Sequence, residues 1–220
     1  MADVANRRLV SELGCAIFSV DYRLAPETRF PGSLEDCYSV LLWLATNAKR
    51  LGVSVSCLGV KGESAGGGLA AALALLTRDR SGPRLAFQHL IYPMLDDRTG
   101  TDLDPNPYTG DFVWTRQQND FGWSSLLGKQ PGSPGVPAYA AAARGENLTG
   151  LPPTFIGVGS LDLFLDENLA YAGRLSRAGV EVELHVYPGA IHRFYEAPDA
   201  RVAQAAERDS RNALQRAMRL

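Results

Sequence analysis

The sequence predicts an α/β fold, a mostly parallel sheet with covering helices. Short apolar runs rich in β-branched residues alternate with longer helical patterns, as βαβ units require. A glycine-rich turn also joins one such run directly to an alanine-rich helix, at residues 59–76. The length of 220 residues is that of one ordinary domain. We therefore expect a single domain over residues 1–220.

In chain order, each apolar run is followed by a helical pattern or by a turn. The predicted strands are 15–22, 57–61, 87–93, 153–159 and 180–188, which are short and rich in β-branched or aromatic residues. The predicted helices are 4–13, 33–50, 65–78, 166–178 and 199–218. Asp166 is placed to cap the fourth helix and Gly179 to end it. The last helix mixes apolar residues with arginines, which predicts one face on the sheet and one in water.

One segment, about 95–150, breaks the alternation. It holds many of the chain's Pro and Gly residues, four of its Trp and Phe residues and no clear strand. A loop of this length inside a compact domain is usually a lid or a binding insertion. The alternative is a disordered surface loop, although disordered segments are poor in large aromatic residues. We expect a partial cap over the site.

Composition excludes several classes of partner. Acidic and basic residues number 24 and 22, so the net charge is −2, and nucleic acid is not an expected partner. No signal peptide and no membrane span is predicted, which makes a cytoplasmic protein the default expectation. The three cysteines are widely spaced and form no C-x-x-C motif. Neither a disulfide framework nor a zinc or other metal site is expected.

The residues Gly62, Glu63, Ser64, Ala65 and Gly66 form a G-x-S-x-G pentapeptide between a predicted strand and a predicted helix. Such a sharp turn exposes the serine at the edge of the sheet, and its glycines avoid clashes. The N–H of Ala65 would then point at a developing oxyanion. The alternatives are an ordinary serine in a glycine-rich turn, or a phosphate-binding loop, for which no G-K-[ST] follows. We interpret Ser64 as a nucleophile.

A serine nucleophile needs a base, and histidine is the usual one. His89 and His185 lie within predicted strands, where a core or sheet-surface histidine is the simpler interpretation. His192 instead follows the last strand, at the edge where parallel sheets place functional groups. His192 is therefore the predicted base.

The acid that orients the histidine should lie on the loop after the preceding strand. Asp162 occupies that loop, and the order Ser64, Asp162, His192 is the one expected for an α/β-hydrolase. Asp166 and Glu167 compete for the role, but they lie at the start of the next helix, where capping explains them more simply. Asp162 is the predicted acid.

Six segments that span nearly the whole chain are informative together: VDYRLAPE, FP at 30–31, GESAGGGLA, LIYPMLD, LPPTFIGVGSLDLFLDE and LHVYPGAIHRF. They resemble the hormone-sensitive-lipase-like branch of the α/β-hydrolase fold. This resemblance implies a carboxylesterase or lipase that cleaves short to medium acyl esters without a cofactor. It implies Ser64, Asp162 and His192 as the catalytic triad and Glu63 as the acidic residue beside the nucleophile, with a role in positioning the turn.

The resemblance also implies that the insertion contributes to a cap over the acyl pocket. Phe112, Trp114 and Trp123 are then candidate pocket-lining residues, with plain core aromatics as the alternative. One small departure from the family pattern is Arg193, where the family commonly has glycine.

A larger departure is the absence of an HGGG motif, whose backbone N–H groups complete the oxyanion hole in the family. The resemblance implies that the chain starts at a helix after the HGGG loop, so that the third strand and everything before it are missing too. In the family, that third strand lies between the strands that correspond to 15–22 and 57–61. A gap of roughly 10 Å would open in the sheet, two strand spacings wide. Either these strands close up, or the missing piece comes from elsewhere, or the chain is incomplete.

The leading functional hypothesis is a serine esterase that acts on a small-molecule ester through an acyl-enzyme. The alternative is a non-catalytic or degenerate α/β-hydrolase-fold protein that binds a ligand without turnover. A peptidase or amidase would share the triad. The sequence leaves a homo-oligomer open.

Overall fold

A computed structural model describes residues 2–101 and 105–218. Within these ranges the chain forms six α-helices and four strands. The helices are α1 (Ala2–Leu13), α2 (Gly32–Leu51), α3 (Ala65–Asp79), α4 (Arg116–Leu127), α5 (Leu165–Arg177) and α6 (Arg201–Met218). The strands are β1 (Val60–Glu63), β2 (Gln88–Ile91), β3 (Thr154–Gly159) and β4 (Val182–Tyr187).

The four strands form one parallel sheet in the order β1-β2-β3-β4. Helices α2, α3 and α5 cover one face, where Leu75, Leu90 and Ile156 belong to the main hydrophobic cluster. Helix α6 covers the other face, where Phe155 and Ala206 belong to a second cluster. Helices on both faces explain why every residue of the two central strands, β2 and β3, is buried. The α/β fold class is confirmed.

All five predicted helices are present, and their ends differ from the prediction by at most two residues. Gly179 follows the end of α5 with a φ of +78°, as an ending glycine should. The capping prediction for Asp166 is wrong. Helix α5 begins at Leu165 after Phe164, with no side-chain cap, so Asp166 lies inside the first turn.

The predicted strand at 15–22 is wrong, because these residues form no regular secondary structure. A strand needs a partner for its backbone groups, and among the described residues no strand lies beside β1 on the edge away from β2. Ile17 and Phe18 are consequently 36% and 42% exposed. Among the described residues, β1 is therefore the edge strand of the sheet.

The insertion, about 95–150, contains helix α4, which the sequence prediction missed. Thr115 and Gln118 form a capping box at its start, since the Thr115 side chain accepts from the Gln118 N–H and the Gln118 side chain from the Thr115 N–H. The T-x-x-Q signal was therefore present in the sequence. Part of the insertion, 102–104, lies outside the described residues. In the described part of the chain, no helix is both long and apolar enough to cross a membrane.

His89 lies on β2 and His185 lies on β4, as predicted. His89 is buried, its Nε2 is 2.8 Å from Ser210 Oγ, and its ring stacks on Phe155 with centroids 4.3 Å apart. His185 is half-buried and contacts Glu183 at 2.9 Å. Burial, together with the nearby charge of Lys61, lowers the pKa of His89 well below its ordinary value.

The buried His89 should make the protein less stable in acid. Below about pH 6.5 the unfolded state takes up a proton on this histidine that the folded state does not bind, so the free energy of unfolding falls as pH falls. In urea unfolding between about pH 7 and pH 5, the free energy of unfolding should fall more steeply for the unchanged protein than for His89→Gln. The difference in slope should be up to about 1.4 kcal/mol per pH unit. Equal slopes would contradict this assignment.

Candidate active site

Ser64 lies between the end of β1 and the start of α3, in a strained backbone conformation with φ 53° and ψ −122°. Its N–H donates to the carbonyl of Ile91 at 2.9 Å. Its carbonyl accepts from the N–H groups of Gly68 at 3.1 Å and Met94 at 3.0 Å. Three backbone hydrogen bonds thus hold the strained residue in place.

Two glycines make this turn sterically feasible. A Cβ on Gly62 would lie 2.1 Å from the carbonyl oxygen of Gly66, and a Cβ on Gly68 would lie 1.9 Å from that of Met94. Any larger residue at either position would displace the backbone. Gly66 itself has room, since a Cβ there would have Tyr22 Oη as its nearest neighbour, at 3.9 Å.

His192 lies on the loop after β4, with its side chain only 1% exposed. Its Nε2 is 3.0 Å from Ser64 Oγ, and its Nδ1 is 2.8 Å from Asp162 Oδ2. The other carboxylate oxygen of Asp162 accepts the N–H of Phe164 at 3.0 Å. The carboxylate therefore fixes the tautomer with the proton on Nδ1, which leaves the Nε2 lone pair facing the serine hydroxyl.

Three aromatic rings surround His192. The ring centroids of Tyr92, Phe164 and Trp114 lie 4.8, 5.2 and 6.2 Å from that of the imidazole. The sequence interpretation had not singled out Tyr92 or Phe164 near the site, and nothing in their spacing indicates it. These rings keep the histidine out of bulk water.

The three aromatic residues predicted to line the pocket lie in different environments. Trp114 is half-buried next to His192, and its Nε1 donates to Asn119 Oδ1 at 3.2 Å. Trp123 is 2% exposed and packs in an apolar cluster that also contains Phe164. Phe112 is 55% exposed. Trp114 alone of the three has a ring contact with the histidine among the described residues.

Ala65 and Glu63 flank Ser64 and lie in different surroundings. Ala65 is the first residue of α3, so its N–H lies at a helix N-terminus, where anions are favoured. The Glu63 carboxylate bonds to Lys61 Nζ at 2.7 Å, and Tyr92 Oη lies 3.5 Å from it.

Neither competing acid contacts the histidine. Asp166 is exposed, with Asn106 Nδ2 at 3.4 Å. Glu167 is buried and accepts the N–H of Leu95 at 2.5 Å and the hydroxyl of Thr99. Burial raises the pKa of Glu167 well above its ordinary value, although these donors oppose the shift. No group of three or more His, Cys, Asp or Glu side chains in the described ranges is arranged to hold a metal ion.

Comparison with known proteins gives a consistent result. A family model described as an alpha/beta hydrolase fold matches residues 1–196. Among curated proteins, the chain is 37% identical over 183 residues to "Carboxylesterase NlhH" of Mycobacterium tuberculosis, covering 81% of this chain and 56% of that protein. It is 30% identical over 196 residues to an "Arylesterase" of Saccharolobus solfataricus, covering 89% and 63%. The chain thus spans a little over half the length of these relatives.

Among solved structures, "Bacterial Heroin Esterase" superimposes with a TM-score of 0.95 at 40% identity, covering 100% of this chain and 70% of that one. An esterase of Pyrobaculum calidifontis superimposes with a TM-score of 0.87 at 31% identity, covering 97% and 69%.

Proposed function

Because the chain belongs to the α/β-hydrolase family, in its hormone-sensitive-lipase-like branch, we propose that it is a serine carboxylesterase for short to medium acyl esters. The observation that carries the proposal is the hydrogen-bonded series from Ser64 Oγ through His192 to Asp162. Similarity to proteins named as esterases supports the same reaction class.

In the proposed reaction, His192 Nε2 accepts the hydroxyl proton while Ser64 Oγ attacks the ester carbonyl. Asp162 stabilises the resulting imidazolium. The Ala65 N–H, at the helix N-terminus, donates to the oxyanion of the tetrahedral intermediate. That intermediate collapses when the C–O bond to the leaving group breaks and His192 returns the proton to the departing alcohol.

The second half of the reaction frees the acyl group. Water loses a proton to His192 and attacks the Ser64 ester, and the acid leaves when the C–Oγ bond breaks and the proton returns to Ser64. No cofactor takes part in this proposed sequence.

A fluorophosphonate probe tests the proposal against the ligand-binding alternative. The probe should label the unchanged protein at Ser64, identified by peptide mass, and should leave folded Ser64→Ala unlabelled. Failure to label the folded, unchanged protein would favour the alternative.

Trp114 should limit the acyl group rather than the chemical step, because its ring lies beside His192 on the insertion. Trp114→Ala should change the ratio of kcat/KM between short and longer p-nitrophenyl esters by about 1–3 kcal/mol, the contribution of one hydrophobic pocket contact. Phe121→Ala is a suitable control, since that side chain is 70% exposed. An equal effect on every ester would assign Trp114 a purely structural role.

A further inference from the structure

The segment that follows β2, residues 93–99, lies directly against the Ser64 turn. The N–H of Met94 donates to the Ser64 carbonyl at 3.0 Å. The Met94 carbonyl packs so closely on Gly68 that no side chain fits there. A shift of this segment would therefore move both Ser64 and the start of α3.

The 93–99 segment is held in turn by two adjacent buried side chains of α5. Asn168 Nδ2 donates to the Pro93 carbonyl at 2.9 Å. Glu167 Oε1 accepts the N–H of Leu95 at 2.5 Å, and Glu167 Oε2 accepts the hydroxyl of Thr99. Because the Glu167 carboxyl is buried, loss of these bonds would leave polar groups unpaired in the interior.

The same segment is also bonded to helix α4 of the insertion. The carbonyl of Thr99 accepts from Asn119 Nδ2 at 2.8 Å, and Asn119 Oδ1 accepts the indole N–H of Trp114 at 3.2 Å. The Trp114 ring lies 6.2 Å from that of His192. The Glu167 carboxyl thus bonds to this segment at two points. One is Leu95, next to the residue that contacts Ser64, and the other is Thr99, which is linked through Asn119 to Trp114.

Helix α5 also begins three residues after the predicted acid. Asn168 Nδ2 donates to the Phe164 carbonyl at 2.7 Å, and the Phe164 N–H donates to Asp162 at 3.0 Å. A single turn of helix α5 therefore bonds both to the 93–99 segment, which in turn contacts Ser64, and to the loop that carries Asp162.

We infer that Glu167 is a positioning residue, which holds the 93–99 segment so that Ser64 and Trp114 keep their places around His192. Glu167 acts only through hydrogen bonds to that segment and does not touch the substrate. The inference rests on the proposed esterase function.

The test compares Glu167→Ala and Glu167→Gln with Asp166→Ala, a control that removes an exposed carboxylate from the same helical turn. The rate of fluorophosphonate labelling at Ser64 is measured, together with kcat and KM on a short and a longer p-nitrophenyl ester. Glu167→Ala should be labelled about 10- to 100-fold more slowly than the unchanged protein, because a small misplacement of the reacting groups lowers the rate by that order. Its kcat should fall more than its KM rises, and the short-to-long ester ratio should change.

Glu167→Gln should recover most of the rate. Its amide oxygen can accept the Leu95 N–H, and its NH₂ group can donate to the Thr99 hydroxyl, which accepts as well as donates. If Glu167→Ala fails to fold, Thr99→Val replaces it, because that change removes one of the hydrogen bonds while keeping the side-chain shape. Thr99→Val should also be labelled more slowly than the unchanged protein.

Three results would overturn the inference. They are labelling of folded Glu167→Ala at the unchanged rate, a Glu167→Gln variant as slow as Glu167→Ala, and an equal effect of Asp166→Ala. Absence of labelling in the unchanged protein is a different result, since it rejects the proposed function and the inference with it.

Discussion

Ser64→Ala, His192→Ala and Asp162→Asn should each remove most of the esterase activity, with losses on the order of 10⁴ to 10⁶ in kcat. Ser64→Ala removes the nucleophile, His192→Ala removes the proton acceptor at 3.0 Å, and Asp162→Asn removes the group that fixes the imidazole tautomer. Because the three act as a unit, the double variant Ser64→Ala/His192→Ala should be hardly slower than either single variant.

Steady-state rates on p-nitrophenyl acetate, with circular dichroism to confirm folding, measure these losses. Ser56→Ala and His185→Ala are matched controls, since one side chain is exposed and the other lies in an ion-pair cluster on the sheet. Strictly additive losses in the double variant would reject the triad.

Supplying an HGGG segment ahead of the chain should raise kcat by at least about 100-fold. Removal of one oxyanion donor commonly costs ~10² to 10³ in kcat, and near Ser64 the local sequence offers chiefly the Ala65 N–H. The Gly68 N–H already donates to the Ser64 carbonyl. The 220 residues alone should therefore be weakly active on p-nitrophenyl esters.

The comparison uses the 220-residue chain, an extended chain that carries the HGGG segment, and the same extension with its HGGG replaced by four alanines. Only the intact extension should recover the rate. If the 220-residue chain is stable and as fast as an ordinary esterase, the expectation is wrong, and another local N–H in the 66–67 stretch must act as second donor.

The sequence was sufficient for those parts of the fold that depend on local pattern. All five predicted helices and four of the five predicted strands are present, although the strand predicted at 57–61 lies at Val60–Glu63. The resemblance to the lipase-like branch is confirmed. The strand at 15–22 failed because strand formation depends on a neighbour, which residue types do not reveal. The capping box of α4 was readable, but Pro and Gly residues around it obscured the helix.

The candidate site, like the fold, could be predicted only in part from the sequence. Ser64, Asp162 and His192 could be selected from their order and from their place after strands, and their catalytic roles stay predictions. Tyr92 and Phe164 could not be selected, since a ring near His192 is a consequence of tertiary packing. The competing acid Glu167 could be noticed in the sequence, but its partners Leu95 and Thr99 are about 70 residues away along the chain.

The open edge of β1 has a consequence for solubility. An unpaired strand edge is a template on which other chains can add strands and aggregate, and charged side chains on such a strand discourage this. Strand β1 carries Lys61 and Glu63, whose side chains form an ion pair at 2.7 Å and remain partly exposed. In the 220-residue chain, we expect these charges to hinder pairing of β1 with a strand of another molecule, and so to lower the tendency of that chain to aggregate.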